Sequence, residues 1–183
     1  MSFQNLQSFK HTLNTGASNP KMILWILFNI IFFKSSLPYP SAFKTFILKL
    51  FGANLGIKIV FKPCINIKFP WKLSIGDYCW IGENVWIDNL DFIFIEDNVC
   101  ISQGAYLLTG NHNYKKKSFD LESGPINLKS GVWIGAMAIV CPNVTCNINS
   151  VLTVNAVATK NLTENTVYTG NPAIAIRTRN SLN

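Results

Sequence analysis

The chain has 183 residues, 49% of them hydrophobic and only 14% charged, with a formal net charge of +7. That length holds one domain with a sizeable core, and so apolar a balance calls for buried surface, an oligomer interface or a membrane contact. The positive charge suits an anionic partner, but there is no zinc-finger spacing, RNP-type signature or basic helix, so nucleic acid is set aside in favour of a phosphorylated small molecule or an anionic membrane.

Residues 1–52 differ from the rest. The leader is polar up to Asn19-Pro20 and has no apolar run followed by a small-residue cleavage site, so no secretory signal is expected. Cys64, Cys79, Cys100, Cys141 and Cys146 are odd in number and form no C-x-x-C pair, which predicts free thiols in a reducing, cytoplasmic setting. His11 sits in the leader, matches no motif and is expected at the surface. The run MILWILFNIIFF, Met22 to Phe33, is twelve residues long, against about twenty for a membrane-spanning helix. It is expected either to pack on the main domain or a neighbouring subunit, or to lie on the cytoplasmic membrane face. In the second case residues 22–50 make a peripheral contact, with Lys21, Lys34, Lys44 and Lys49 near headgroups. A second helix, SAFKTFILKLFG, is expected to be capped by Ser41 and ended by Gly52.

From Leu55 the sequence acquires a period of six. Apolar anchors stand at Leu55, Phe61 and Ile67, then at Ile75, Ile81 and Ile87, then at Ile95, Ile101 and Leu107. After a gap they continue at Leu128, Ile134, Val140, Cys146, Leu152 and Ala158. Four residues after most anchors comes a small or β-branched residue (Val85, Val99, Ala105, Val132, Ala138, Val144, Ser150, Ala156), and glycine often follows the anchor directly, as at Gly56, Gly76, Gly82 and Gly135. Six is neither a helical nor a simple strand period; it is the hexapeptide repeat of a parallel β-helix, in which three hexads make one triangular coil. A sandwich of short strands does not account for so many anchors in register. The predicted organisation is an N-terminal helical segment over 1–52, an all-β hexapeptide-repeat β-helix over 53–166, and a tail over 167–183. Trp80, Trp86 and Trp133 each precede an anchor, so they should point outward, into a subunit interface or towards sugars.

The repeat breaks once. Leu107 and Leu128 are 21 residues apart where six would continue the coil, and the excursion, 109–127, contains TGNHNYKKKSFD. Long loops on rigid repeats often carry function. This one holds His112, while Lys115, Lys116 and Lys117 read as a solvated tip or as a steering patch for an anion.

The stretches DYCWIGENVWIDNL, EDNVCISQGAYLLTGNHNY, SFDL, GVWIGAMAIVCPNVT, ATKNL and VYTGNPA together resemble the hexapeptide-repeat acyltransferases. Within that family they are similar to colanic acid biosynthesis acetyltransferases of the galactoside and maltose O-acetyltransferase type, over most of residues 50–179. The resemblance implies a left-handed parallel β-helix, a homotrimer with active sites between subunits, acetyl-CoA as acyl donor, and a sugar or glycan hydroxyl as acceptor in surface polysaccharide assembly. No metal is implied. It also implies that His112 is the general base and that the Ala136 backbone N–H is the oxyanion donor. Ala136, Val154, Thr159 and Lys160 would line the coenzyme groove, with Arg177 near its phosphates. The chemistry suits a histidine, because imidazole, titrating near about 6.5, can take a hydroxyl proton as the oxygen attacks a thioester. Members often carry Asp directly after this histidine, whereas Asn113 stands here, so the orienting group is expected to be Asp120, Glu122 or a backbone carbonyl. Many also have glycine at the position of Asn155 and a basic residue at that of Ile174. For the acceptor, Asn89 matches the group and is expected to bind it, with Asp88 beside it; Asp88 and Asp91 also read as turn formers.

Three other readings compete. A gamma-type carbonic anhydrase needs three histidines, and the chain has two. Acetylation of an amino or nucleotide sugar keeps the chemistry and changes the acceptor. A non-catalytic scaffold keeps only the coil.

Overall fold

The structure, a computed structural model, describes residues 3–9 and 13–180; His11 lies outside the described residues. The sixfold period becomes three parallel sheets that form the faces of a triangular prism. The first face stacks Asn54–Leu55, Leu73–Ile75, Ile93–Ile95, Ile126–Leu128 and Thr145–Cys146. The second stacks Val60–Phe61, Trp80–Ile81, Cys100–Ile101, Trp133–Ile134 and Val151–Leu152. The third stacks Asn66–Ile67, Trp86–Asp88, Tyr106–Leu108, Ile139–Val140 and Val157–Ala158. Anchors pair with anchors: Ile75 with Ile95, Ile95 with Leu128, and Leu128 with Cys146. Every anchor from Leu55 to Ala158 is buried. Stacking at about 4.8 Å per coil makes the five coils a prism roughly 24 Å long.

The turns carry a second regularity. The third residue after most anchors has a left-handed backbone: Lys58, Cys64, Tyr78, Asn84, Asn98, Met137, Asn143, Asn149 and Asn155 all have φ between 53° and 63°. Asparagine tolerates that region better than other side chains do, which is why it accumulates there. The small residue at the next position is buried at the corner; Val85, Ala105, Ala138 and Ala156 are fully enclosed.

The coil runs on past Ala158. Leu162 bridges to Cys146, and Thr166–Thr169 adds to the second face, with Val167 beside Val151. An antiparallel strand, Ile174–Thr178, then closes that face's edge. The strand Thr166–Thr169 therefore spans the point at which the sequence suggested a tail.

Helix α1 (Asn19–Phe28) continues as a π-helical turn, Asn29–Phe33, and α2 spans Ser41–Leu50. Together they cover the open edge of the first coil and satisfy its backbone. Trp25 Nε1–H donates to Ile67 O at 2.9 Å, and Cys64 N–H donates to Ser35 O at 3.1 Å. Ser41 does not cap α2: it is already helical, and its Oγ accepts the Phe61 N–H at 3.0 Å, an edge donor with greater need of a partner. Gly52 does end α2, at φ +99°, with Gly52 N–H on Lys49 O and Ala53 N–H on Leu48 O, a Schellman motif. Lys44 is not at a surface. It is fully buried, its Nζ donates to Lys62 O at 2.9 Å, and burial pulls its pKa below the usual lysine value.

All five cysteines are free. Burial pushes the Cys79 thiol up to about 11 and the Cys146 thiol up to about 12, so both stay protonated and serve as packing.

Candidate active site

The excursion is an antiparallel hairpin, with Gly110–His112 paired to Leu121–Ser123 and His112 opposite Leu121. It leaves the prism at the corner between the third and first faces. The fully buried Thr109 fixes its base: Oγ1 donates to Asp88 O at 2.7 Å and accepts the Asp91 N–H at 3.0 Å. On the other strand Ser123 Oγ donates to Asp91 Oδ2 at 3.1 Å. The hairpin is thus stapled to the coil beneath it.

Within the hairpin His112 is held on two sides. Its Nδ1 lies 2.9 Å from Phe119 O. A carbonyl can only accept, so Nδ1 carries a proton, and in the neutral ring the lone pair is on Nε2. The Phe119 ring stacks on the imidazole at 4.4 Å and 4°, and Phe9, from the leader, approaches at 5.9 Å. Phe119 itself has φ +51°, a rare backbone for a bulky residue, which turns its carbonyl inward. The acids expected to orient the histidine do otherwise. Asp120 pairs with Lys116 at 3.1 Å, and hydrogen bonds from Ser118 and Lys116 hold its carboxyl below the usual range. Glu122 accepts from Asn113 Nδ2 at 2.8 Å. Asp120 is therefore corrected from orienter to loop-tip ion pair.

The polar residues on the coil below are also committed elsewhere. Asn89 is fully buried, with Oδ1 accepting the Phe69 N–H at 2.9 Å and Nδ2 donating to Phe69 O at 2.5 Å. It continues the sheet ladder through a side chain and has no exposed surface to offer a sugar. Asp88, only 6% exposed, faces Lys68 Nζ at 3.0 Å through Oδ1 and accepts from the Tyr106 hydroxyl at 3.0 Å through Oδ2. Burial, and then the Asp88 charge, raise the Tyr106 pKa. Both expectations of direct acceptor contact are corrected: these residues brace the corner that bears the hairpin. An open cleft of about 370 Å³ does lie beside the hairpin base, lined by Asn14, Lys72, Asp91, Leu121 and Ser123 among others.

A larger groove of about 870 Å³ runs along the second face and the corner that follows it. Ala136, Val154 and Arg177 line it, as do Ser102, Gln103 and Trp133. Ala136 is half-buried, and its N–H makes no hydrogen bond among the described residues. Thr159 and Lys160 do not line this groove. They are exposed past Ala158, at the corner the hairpin leaves from, so the proposed coenzyme residues fall on two corners rather than one. No hairpin residue lines the groove.

No family model matches the chain. The chain is 35% identical over 164 residues, 90% of each protein, to WcaF of Escherichia coli K12, named as a colanic acid biosynthesis acetyltransferase. The chain belongs to the hexapeptide-repeat acetyltransferases. It is also 29% identical over 134 residues, 72% of this chain and 66% of the relative, to the galactoside O-acetyltransferase of Escherichia coli K12. In fold it is similar to a hexapeptide-repeat acetyltransferase of Vibrio cholerae solved with acetyl coenzyme A. That match has a TM-score of 0.77 and 23% identity, over 91% of this chain and 92% of the other. A galactoside acetyltransferase solved with coenzyme A matches with a TM-score of 0.75 and 24% identity, over 88% and 82%.

For an acetyltransferase of this family the departures have physical readings. Asn155 sits at φ +61°, so it keeps the backbone that glycine adopts elsewhere. Ile174 opens the last strand and is 63% exposed, an apolar side chain at a position where the family resemblance suggests a basic one. Arg179, absent from the expectations, anchors the tail by donating to Gly131 O at 2.9 Å and Asn149 O at 3.2 Å. The other omission is Phe119. Its signal was the F-D-L stretch, where the acid drew attention and the acceptor proved to be the carbonyl one residue earlier. Asp120→Asn is therefore expected to change acetyl transfer by no more than about threefold, as for an exposed ion pair. Loss of an acid that holds a catalytic imidazole costs on the order of 10⁴, and initial rates separate the two.

Proposed function

We propose that this chain is a cytoplasmic O-acetyltransferase that moves an acetyl group from acetyl-CoA to a sugar hydroxyl during surface polysaccharide assembly. The observation that carries the reading is the contact between His112 Nδ1 and Phe119 O: the carbonyl accepts a hydrogen bond from Nδ1–H, and in the neutral ring this leaves Nε2 as a base on a hairpin of an acetyltransferase. Nε2 accepts the hydroxyl proton as the oxygen attacks the thioester carbonyl. The Ala136 N–H stabilises the oxyanion, which collapses and expels the coenzyme A thiolate; that sulfur takes the proton from the imidazolium. No protein nucleophile is needed, in keeping with the buried thiols of Cys79 and Cys146, which burial keeps protonated.

The site is formed between chains of a homotrimer. Support comes from the separation of the parts: the hairpin, Thr159 and Lys160 stand at one corner of the prism, and Ala136, Val154 and Arg177 at another. A neighbouring prism can bring one corner against the other, and the exposed Trp80 and Trp133 offer apolar surface for such packing. Subunit mixing tests this. His112→Ala chains and groove-blocked Val154→Trp chains, each inactive alone, should regain part of the activity when mixed. No recovery in trimers shown to be mixed refutes the intersubunit site. Mild alkali should release the transferred acetyl as an ester; alkali-stable acetate would mean an amide and an amino-sugar acceptor.

A further inference from the structure

The N-terminal helices bury one face and leave the other bare. Trp25, Phe33, Ile47 and Leu48 are buried against the first coil, whereas Ile23, Leu27, Ile30, Ile31, Phe46 and Leu50 are 51% to 68% exposed. In α1 and the turn after it these residues recur at helical spacing, forming one stripe. Phe32 joins the stripe to α2, its ring 5.2 Å from both Tyr39 and Phe43. A contiguous apolar surface of this kind marks an interaction site.

Charge says which kind. The first acidic residue in the chain is Asp77, and nine lysines precede it. The remaining residues carry seven basic and nine acidic side chains, so the whole positive excess lies in residues 1–76; Lys10 is outside the described residues, and the other eight of these lysines belong to the N-terminal helices, the first coil and the turn that follows it. Lys34 and Lys49 are exposed at the edge of the apolar face, and Lys21 is held over Trp71 at 4.8 Å. Two copies meeting through this face would oppose lysines with no acid nearby to pair them. An apolar centre with a lysine rim instead matches acyl chains beneath anionic headgroups. Among the described residues no helix is long and apolar enough to cross a membrane.

We propose that this face seats the protein on an anionic lipid bilayer, with α1 and α2 lying in the interface and the prism standing away from it. The hairpin leaves the third coil. With two coil steps and one helix diameter between, it stands roughly 20 Å from the headgroups. The proposal is independent of the acyl-transfer reading, because its test reads binding and not turnover.

The full chain is sedimented with phosphatidylcholine vesicles and with vesicles that also contain phosphatidylglycerol. Binding is expected only to the second, and it should weaken with salt. Ile30→Glu with Phe46→Glu should lower binding on the order of tenfold, with circular dichroism and the light-scattering mass unchanged. Lys34→Gln with Lys49→Gln, which leaves the apolar face intact, should weaken binding to the anionic vesicles. Failure of the wild-type chain to bind phosphatidylglycerol vesicles overturns the proposal. So does a fall in oligomeric mass in the Ile30, Phe46 variant, which would assign the face to a second copy.

Discussion

Replacing His112 with alanine is expected to lower acetyl transfer at least about a hundredfold while leaving the fold intact. The fold should survive because His112 lies in a hairpin outside the prism, whose strands pair with each other and not with the stacked coils. The loss should fall on kcat more than on donor KM, since no hairpin residue lines the groove that Ala136 and Val154 form. His112→Gln sharpens the test: it keeps a polar side chain of similar reach but supplies no base at neutral pH, so it should be nearly as slow as alanine. A glutamine variant close to wild type would mean that position 112 only positions the acceptor. Full activity in the alanine variant would remove the histidine from the chemistry altogether.

Gly135→Ala is expected to have the largest structural effect of any single-methyl change near the groove. A Cβ at position 135 would lie 2.6 Å from both Thr153 C and Val154 N, and 2.8 Å from Leu152 O. All three are backbone atoms of the next coil, so no rotamer change relieves the clash. The two coils are joined here by Gly135 N–H on Leu152 O at 2.7 Å, and the methyl would force them apart. Overpacking of this kind costs about 1–3 kcal/mol, and more where the backbone cannot yield. The displaced turn carries Ala136, so thermal denaturation should show a lowered Tm, and donor KM should rise in the fraction that folds. An unchanged Tm would mean that the coils separate more freely than their spacing implies.

The same glycine shows where sequence reading ends. Gly56, Gly76, Gly82 and Gly135 were visible as a recurring residue after the anchor, but the cause, the backbone of the next coil, lies about one turn of the prism away. The Asn-rich turns were equally present in the sequence. They became intelligible only once φ was known for Asn84, Asn98, Asn143, Asn149 and Asn155. Lys44 was read as a surface lysine because nothing local distinguishes it from Lys49; the first coil's edge, which it caps, is distant in sequence. Asn89 and Asp88 were read as acceptor contacts from their place at an extended corner. Their partners, Phe69, Lys68 and Tyr106, lie one coil away and spend the hydrogen bonds that a sugar would need.

The sequence by itself determined the coil, its interruption and the histidine within it. A strict period forces identical side chains into identical places, so fifteen anchors in register specify a prism without further information. Tertiary structure decided what each polar group does. A hydrogen bond depends on which atom stands within about 3 Å, and that is set by packing between coils rather than by neighbours in the chain. The Phe119 carbonyl is the clearest case: every residue has a carbonyl, and only the turn at φ +51° aims this one at His112.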